Sequence, residues 1–214
     1  MKTDNNNKFM ELILKLNNTG FVHIFGSGVI NQIIGFLSGI ILVRIISKSD
    51  YGVYSYTNNL MSFFMLFSGF GVVSGLLQIC SENSSNSKLS NKIFSYGFRI
   101  GIIFNLILGV FVLLVAILVE FPIPGSNQLL VLMSALPVFL IIYELIQIYF
   151  RYNKLNRKYS YYSTLNTFLI LIFSIFGALT WSTRGLIIFR YFGYIVSIII
   201  GIYLSKLHNL KLLK

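Results

Sequence analysis

The sequence predicts an all-α protein, a polytopic bundle of six transmembrane helices with both termini on the cytoplasmic side. Three observations support this class: 56% of the 214 residues are hydrophobic, the mean hydropathy is +0.78, and only 11% are charged. Soluble domains carry about 25% charged residues. This chain therefore lacks the polar side chains that would cover a water-soluble globule, and lipid is the expected solvent.

Six apolar segments are each about as long as a membrane span, which requires ~20 residues. They cover residues 20–47, 51–80, 93–119, 128–150, 163–181 and 186–204. The turn after the third segment contains Pro122 and Pro124, which cannot continue a helix. Pro137 lies inside the fourth segment and predicts a kink there.

The spans divide the chain into three parts. Residues 1–19 form a polar N-terminus in which Phe9, Leu12, Ile13 and Leu16 have helical spacing. This spacing predicts a short amphipathic helix on the membrane surface, and a frayed tail is the alternative. Residues 20–206 form the six-helix transmembrane lobe, and residues 207–214 form a basic cytoplasmic tail.

The distribution of basic residues predicts the orientation. If the spans alternate in direction, four of the 17 lysines and arginines fall toward one side: Arg44, Lys48, Arg184 and Arg190. The other thirteen fall toward the side that carries both termini. Because basic residues collect on the cytoplasmic side of bacterial and other membranes, both termini are expected there, in a multi-pass protein of the cytoplasmic membrane.

Glycine pairs at four-residue spacing predict close helix packing. Such pairs occur at Gly35 and Gly39, at Gly71 and Gly75, and at Gly97 and Gly101. They let two helix backbones approach closely in lipid, so they favour a packed bundle over separate anchors.

Charged side chains inside the spans are the candidate functional residues. Arg44, Arg99, Arg190 and the acid Glu144 lie inside apolar segments. A charge at a helix centre costs ~2.5–3.5 kcal/mol on insertion scales and usually faces a bundle interior or an aqueous cavity. For the arginines, extension of the side chain to the interface is the alternative. Glu144 is a candidate for pairing with an arginine, for an ion or proton site, or for a local hydrogen bond.

Polar amides also lie in the spans. Asn58 and Asn59, together with Asn31, Gln32 and Asn105, are candidates either for lining a cavity or for holding helices together by hydrogen bonds.

Several classes are disfavoured by what the sequence lacks. The net charge of +11 is explained by basic residues in the cytoplasmic loops of a membrane protein. The sequence has no basic stripe with interleaved aromatic residues, which would indicate nucleic acid binding. The single cysteine excludes an intramolecular disulfide, and there is no Cys/His cluster for zinc. The sequence has no paired carboxylates, no nucleophile triad and no phosphate-binding glycine loop, which are the motifs that would predict an enzyme. We therefore expect no catalytic residues, no cofactor and no metal.

The stretch LVRIISKSDYGVYSYT resembles a motif of the polysaccharide and lipid-linked oligosaccharide flippases in the multidrug/oligosaccharidyl-lipid/polysaccharide exporter superfamily. The family shows an arginine in an aliphatic context, a short turn, an acidic residue and then Tyr-Gly-Xaa-Tyr-Ser. The matching positions here are Arg44, Asp50, Tyr51, Gly52, Tyr54 and Ser55. Residues 67–78 and 148–166 look like the second span and a later basic loop of the family, less specifically.

The resemblance implies translocation of an undecaprenyl-diphosphate-linked oligosaccharide across the cytoplasmic membrane for surface polysaccharide biosynthesis. Arg44, Arg190 and Arg99 would attract the diphosphate, and Glu144 would couple transport to an ion or proton. Family members usually have twelve to fourteen spans in two lobes. A six-span chain therefore corresponds to the N-terminal lobe alone, and we expect a fragment of a longer transporter or, alternatively, a homodimer.

Two other functions stay open at this point. A cation-coupled drug antiporter of the same superfamily would need acidic cavity residues, and only Glu144 lies inside a span. A membrane scaffold or remnant without transport activity would need neither the arginines nor a cavity.

Overall fold

The computed structural model describes residues 21–205 and 207, and this part of the chain is helical with no strand. The helices are α1 (Phe21–Ile45), α2 (Lys48–Met65), a 3₁₀ turn (Ser68–Gly71), α3 (Val72–Glu82), α4 (Ser87–Leu118), α5 (Ser126–Met133), α6 (Leu136–Tyr152) and α7 (Asn156–Ser205). The predicted surface helix of residues 1–19 lies outside the described residues, as does the basic tail apart from Leu207.

Five segments of the described chain are long and apolar enough to cross a membrane. They are α1, α2 with α3, α4, α5 with α6, and α7. The predicted class, a bundle of apolar membrane helices, is therefore confirmed. The fifth segment has 50 residues. A continuous helix of that length would extend about 75 Å, more than twice the thickness of the hydrocarbon core.

α7 is in fact two antiparallel arms. Its helical geometry breaks at Trp181 and Ser182, where the φ angle of Ser182 is +52°. Beyond the break the chain returns along itself, because the backbone of Gly193 lies against Ile170 and Gly201 lies against the ring of Tyr162. The first arm (156–180) and the second arm (183–205) match the fifth and sixth predicted segments. The turn between the two arms involves Trp181 and Ser182, so it is shorter than the gap of residues 182–185 between the predicted segments.

The second predicted span is interrupted near its centre. α2 ends at Met65, a 3₁₀ turn follows, and α3 begins at Val72. Gly69, Phe70 and Gly71 have φ angles of +66°, +42° and +79°. Three consecutive residues outside the right-handed helical region cannot belong to one helix. The predicted span over 51–80 is therefore found as one apolar segment, Lys48–Glu82, that is built from two helices.

The kink predicted at Pro137 is present. α5 and α6 are separated by Ser134 and Ala135, and Pro137 occupies the first turn of α6. Proline is tolerated there because the first-turn amides have no acceptor within the helix.

α6 lies at the centre of the bundle. Its residues Ile141, Leu145, Ile146 and Phe150 are fully buried, and α4 and both arms of α7 pack around it. The glycines serve this packing unequally. A methyl group on Gly97 would meet Leu76 at 2.5 Å, whereas Gly35, Gly39, Gly71 and Gly75 have no atom within reach of such a methyl. Of the predicted glycine pairs, only Gly97 and Gly101 line a helix contact.

Candidate functional site

The connections of the bundle collect at two ends. At one end, the Ser182 hydroxyl donates a hydrogen bond to Asp50 Oδ2 at 2.9 Å, and Arg184 donates to Gln128. The ring of Tyr56 contacts Phe121 at the same end. At the opposite end, Lys158 Nζ donates to the carbonyl of Leu204 at 3.3 Å, and the α3–α4 and α6–α7 turns share a pocket.

The exposed faces differ in polarity from helix to helix. The exposed large side chains of α4 are apolar: Ile103, Phe104, Leu106, Ile107, Val110, Phe111, Leu114, Ile117 and Leu118. The segment of α2 and α3 instead exposes Asn59, Ser62, Gly71, Ser74 and Gln78 among its apolar residues. We call this second surface the polar face. The same segment also exposes Phe63, Leu66, Phe67 and Phe70, so this surface is mixed in polarity.

Arg190 is the intramembrane cation most enclosed by protein. It lies in the second arm of α7, and its Nε atom is buried without a hydrogen-bond partner. Its Cζ atom lies 5.9 Å from the ring centroid of Tyr194, within cation–π range. Tyr54 of α2 and Tyr191 lie near the guanidinium. No carboxylate pairs with Arg190 within the part of the chain that the structure describes.

The tyrosines around Arg190 are themselves held in place. The Tyr191 hydroxyl donates a hydrogen bond to the backbone carbonyl of Leu132. Phe139 of α6 packs against both rings, with centroid distances of 5.0 Å to Tyr191 and 6.4 Å to Tyr194. The guanidinium of Arg190 is therefore surrounded by fixed tyrosine rings and their hydroxyls, without an anion among the described residues.

The other sequence candidates are distributed over the bundle. Asn58 lies one turn beyond Tyr54 on α2, so it shares the side of α2 that meets Arg190. Asn59 is exposed on the polar face. Arg44 is exposed in the last turn of α1. Arg99 is partly buried within α4 and takes part in interactions there.

Glu144 lies in α6, eight residues before its end, and is partly buried. It forms no hydrogen bond or ion pair with another residue that the structure describes. The structure therefore does not bring the acid to Arg190, and the pairing alternative has no support.

Five polar side chains each have a buried oxygen that lacks a hydrogen-bond partner: Asn31, Ser160, Tyr162, Asn166 and Ser197. Of these, the sequence indicated only Asn31, as a cavity or packing residue. The others carry no sequence signal, because a serine or an asparagine on a membrane helix usually bonds to its own backbone or to a neighbouring helix.

A pocket of about 280 Å³ opens between the α3–α4 and α6–α7 turns. Its lining is polar, with Ser87, Asn91, Asn153 and Lys154 beside the rings of Tyr149 and Tyr152. The Tyr152 hydroxyl donates to Asn91 Oδ1 at 3.3 Å.

The fold and its charged interior define a polytopic helical membrane protein with an unpaired cation among packed helices. The family model described as "Polysaccharide biosynthesis protein" matches residues 18–211, so the chain belongs to this family. Neither a curated protein nor a solved structure matches the chain.

Proposed function

We propose that the protein is a flippase that moves an undecaprenyl-diphosphate-linked oligosaccharide across the cytoplasmic membrane during surface polysaccharide synthesis. Family membership supports a role in polysaccharide biosynthesis, and the helical membrane fold supports transport over catalysis. The observation that carries the proposal is Arg190, a half-buried arginine whose Nε atom is buried and which has no carboxylate partner in the described chain.

A cation held inside a membrane span without an anion is costly, and such residues commonly mark the path of a charged substrate. A diphosphate offers oxygens that match the planar donor fork of arginine, and such charge-assisted hydrogen bonds are among the strongest in proteins. The neighbouring Tyr54 and Tyr194 supply rings and hydroxyls suited to a sugar or phosphate next to the charge.

The polar face is proposed to line the aqueous part of the transport route, with Asn59 on it and Asn58 beside the Arg190 side of α2. Arg44 at the outer end of α1 would extend the positive charge toward the exit, and Arg99 would do so nearer the cytoplasm. In the same proposal the two arms of α7 each cross the membrane. The chain then has six crossings, with both termini in the cytoplasm. The opposing wall of the route would come from a second lobe or a second copy of the chain.

Replacing Arg190 tests this proposal. Arg190→Ala removes the charge, and loss of one to two charge-assisted hydrogen bonds predicts a fall in transport of roughly 10–100-fold. Arg190→Lys keeps the charge without the donor fork and should give an intermediate rate. Transport is measured as flipping of a fluorescent polyprenyl-diphosphate sugar in proteoliposomes that contain the purified protein, and as surface polysaccharide in complemented cells.

Arg184→Ala is the matched control, because Arg184 is an exposed arginine on the same arm whose partner is Gln128. Its transport should stay near that of the unmodified protein, and the membrane abundance of all three variants is measured alongside. If Arg190→Ala flips the substrate at the original rate and abundance, Arg190 does not bind the diphosphate.

A further inference from the structure

The pocket between the α3–α4 and α6–α7 turns has walls that internal hydrogen bonds hold in place. We call it the turn pocket, and Arg190 does not line it. On one side, the Ser90 hydroxyl donates a hydrogen bond to the backbone carbonyl of Asn83 at 2.7 Å. On the other side, Asn153 Nδ2 donates to the backbone carbonyl of Tyr149 at 2.8 Å. Both turns are therefore fixed without a ligand, and the cavity of about 280 Å³ is preformed.

The lining of the turn pocket is rich in hydrogen-bond donors. Ser84 and Ser87 are exposed there, and their hydroxyls bond to no other residue that the structure describes. Asn91 Oδ1 accepts from the Tyr152 hydroxyl at 3.3 Å, which leaves the amide nitrogen of Asn91 to donate. Lys154 adds an ammonium group that forms no ion pair within the described residues.

None of the described residues that line the turn pocket is acidic. Glu82 is the described acid nearest to it along the chain, but Glu82 lies outside the lining and accepts a hydrogen bond from Gln78 at 3.0 Å. Asn153 contributes a carbonyl oxygen, which is an acceptor but carries no charge. A ligand with negative charge and several acceptor oxygens therefore suits the lining better than a cation.

Lys154 occupies a backbone position that favours glycine. Its φ angle is +57°. The amide of Leu155 donates to the carbonyl of Phe150 at 2.8 Å, and the amide of Lys154 donates to the carbonyl of Arg151 at 3.0 Å. This is the Schellman arrangement that ends many helices, in which the left-handed residue is usually glycine. The turn does not require a lysine, so the side chain of Lys154 has its role in the pocket.

We propose that the turn pocket binds a phosphate ester. The phosphate oxygens accept hydrogen bonds from Ser84, Ser87 and Asn91, and the ammonium of Lys154 neutralises their charge. The volume of about 280 Å³ is slightly below that of pockets for drug-sized ligands, so it fits a phosphate with a small polar group. Two sources offer this chemistry at a membrane surface: the headgroup of a phospholipid and a soluble phosphate ester.

Thermal unfolding of the purified full chain in detergent tests the proposal. The probes are glycerol 3-phosphate against chloride at equal ionic strength, and short-chain phosphatidylglycerol against the matching diacylglycerol. A saturating ligand should raise the midpoint by roughly 5–10 °C at about 100 times its dissociation constant. A rise with glycerol 3-phosphate assigns a soluble ester, and a rise with phosphatidylglycerol alone assigns a lipid headgroup.

Lys154→Gly removes the ammonium and relieves the left-handed backbone strain in the same step. In chloride alone, this variant should unfold at the same temperature as the unmodified protein or at a higher one, and its phosphate-dependent rise should disappear. Lys154→Arg keeps the charge and should keep the rise. Ser87→Ala removes one donor and should increase the ligand concentration needed for half of the rise.

Lys88→Gln is the matched control, because Lys88 is an exposed lysine at the same end that does not line the turn pocket. It should keep the rise. Unchanged midpoints with both probes would show that the pocket holds only water. A rise that persists in Lys154→Gly, or one that Lys88→Gln loses equally, would reflect a general effect of salt or surface charge. Each of these results overturns the proposal, whether or not the protein is a flippase.

Discussion

Individual glycines decide how closely the arms of α7 approach. Next to the turn, Gly177 and Gly185 face each other with their backbones in direct contact, and a methyl group on either would collide with the carbonyl of the other. A backbone carbonyl cannot move aside as a flexible side chain can. The close approach therefore depends on the absence of a side chain at these two positions, as in other membrane helix pairs.

Gly185→Ala is expected to destabilise the protein by about 1–3 kcal/mol, the range for overpacking a close contact. The matched control is Gly39→Ala in α1, where a methyl group would meet no atom. The midpoint of thermal unfolding in detergent should fall for Gly185→Ala and stay within error for Gly39→Ala. Equal midpoints for the two variants would contradict the backbone contact between the arms.

At the scale of the element, residues 66–71 interrupt the second span. Phe70 is 69% exposed, and the Ser68 hydroxyl donates to Asn105 Oδ1 at 2.9 Å, which anchors the turn to α4. Irregular backbone at membrane depth is tolerated where protein covers it or where it lines an aqueous cavity. Gly69 is buried and Ser68 is bonded to α4, so protein covers part of this turn.

Gly71→Ala tests whether the left-handed turn is required. Gly71 has a φ of +79° and open space around it, so an added methyl group is penalised by backbone strain alone, at roughly 1–2 kcal/mol. Gly75→Ala, one turn later in α3, also meets no atom but has ordinary helical geometry. Unfolding titrations in a denaturing detergent should show a loss for Gly71→Ala and none for Gly75→Ala. A loss of the same size in both would argue against strain at the turn.

At the scale of the whole molecule, the two ends of the bundle carry unequal charge. Lys88, Lys92, Arg151, Lys154, Arg157 and Lys158 belong to the end with the α3–α4 and α6–α7 turns. Arg44, Lys48 and Arg184 belong to the opposite end. The bias predicts that the first end faces the cytoplasm.

Cysteine labelling in intact cells measures this orientation. The native Cys80 is buried and is first replaced by alanine. A membrane-impermeant maleimide should then label Pro124→Cys, at the exposed turn before α5, from outside the cell. It should label Ser85→Cys, at the exposed turn before α4, only after the membrane is permeabilised. The reverse pattern would invert the proposed topology.

Hydropathy and proline positions predicted the membrane class, the approximate helix bounds and the kink at Pro137, because each depends on local sequence. The break at Gly69–Gly71 was missed, although the sequence FSGFG holds two glycines that favour such a turn. Arg190 was a candidate from its apolar context alone. Its tyrosine neighbours could not be derived, because they depend on how α2 and α7 align, and hydropathy does not specify that alignment.

The two-residue turn of α7 has a consequence for biosynthesis. No polar stretch long enough to form a loop separates the first arm from the second, and their glycines interlock from the turn onward. We therefore expect the two arms to enter the membrane together, as one helical hairpin, and then to pack against α6.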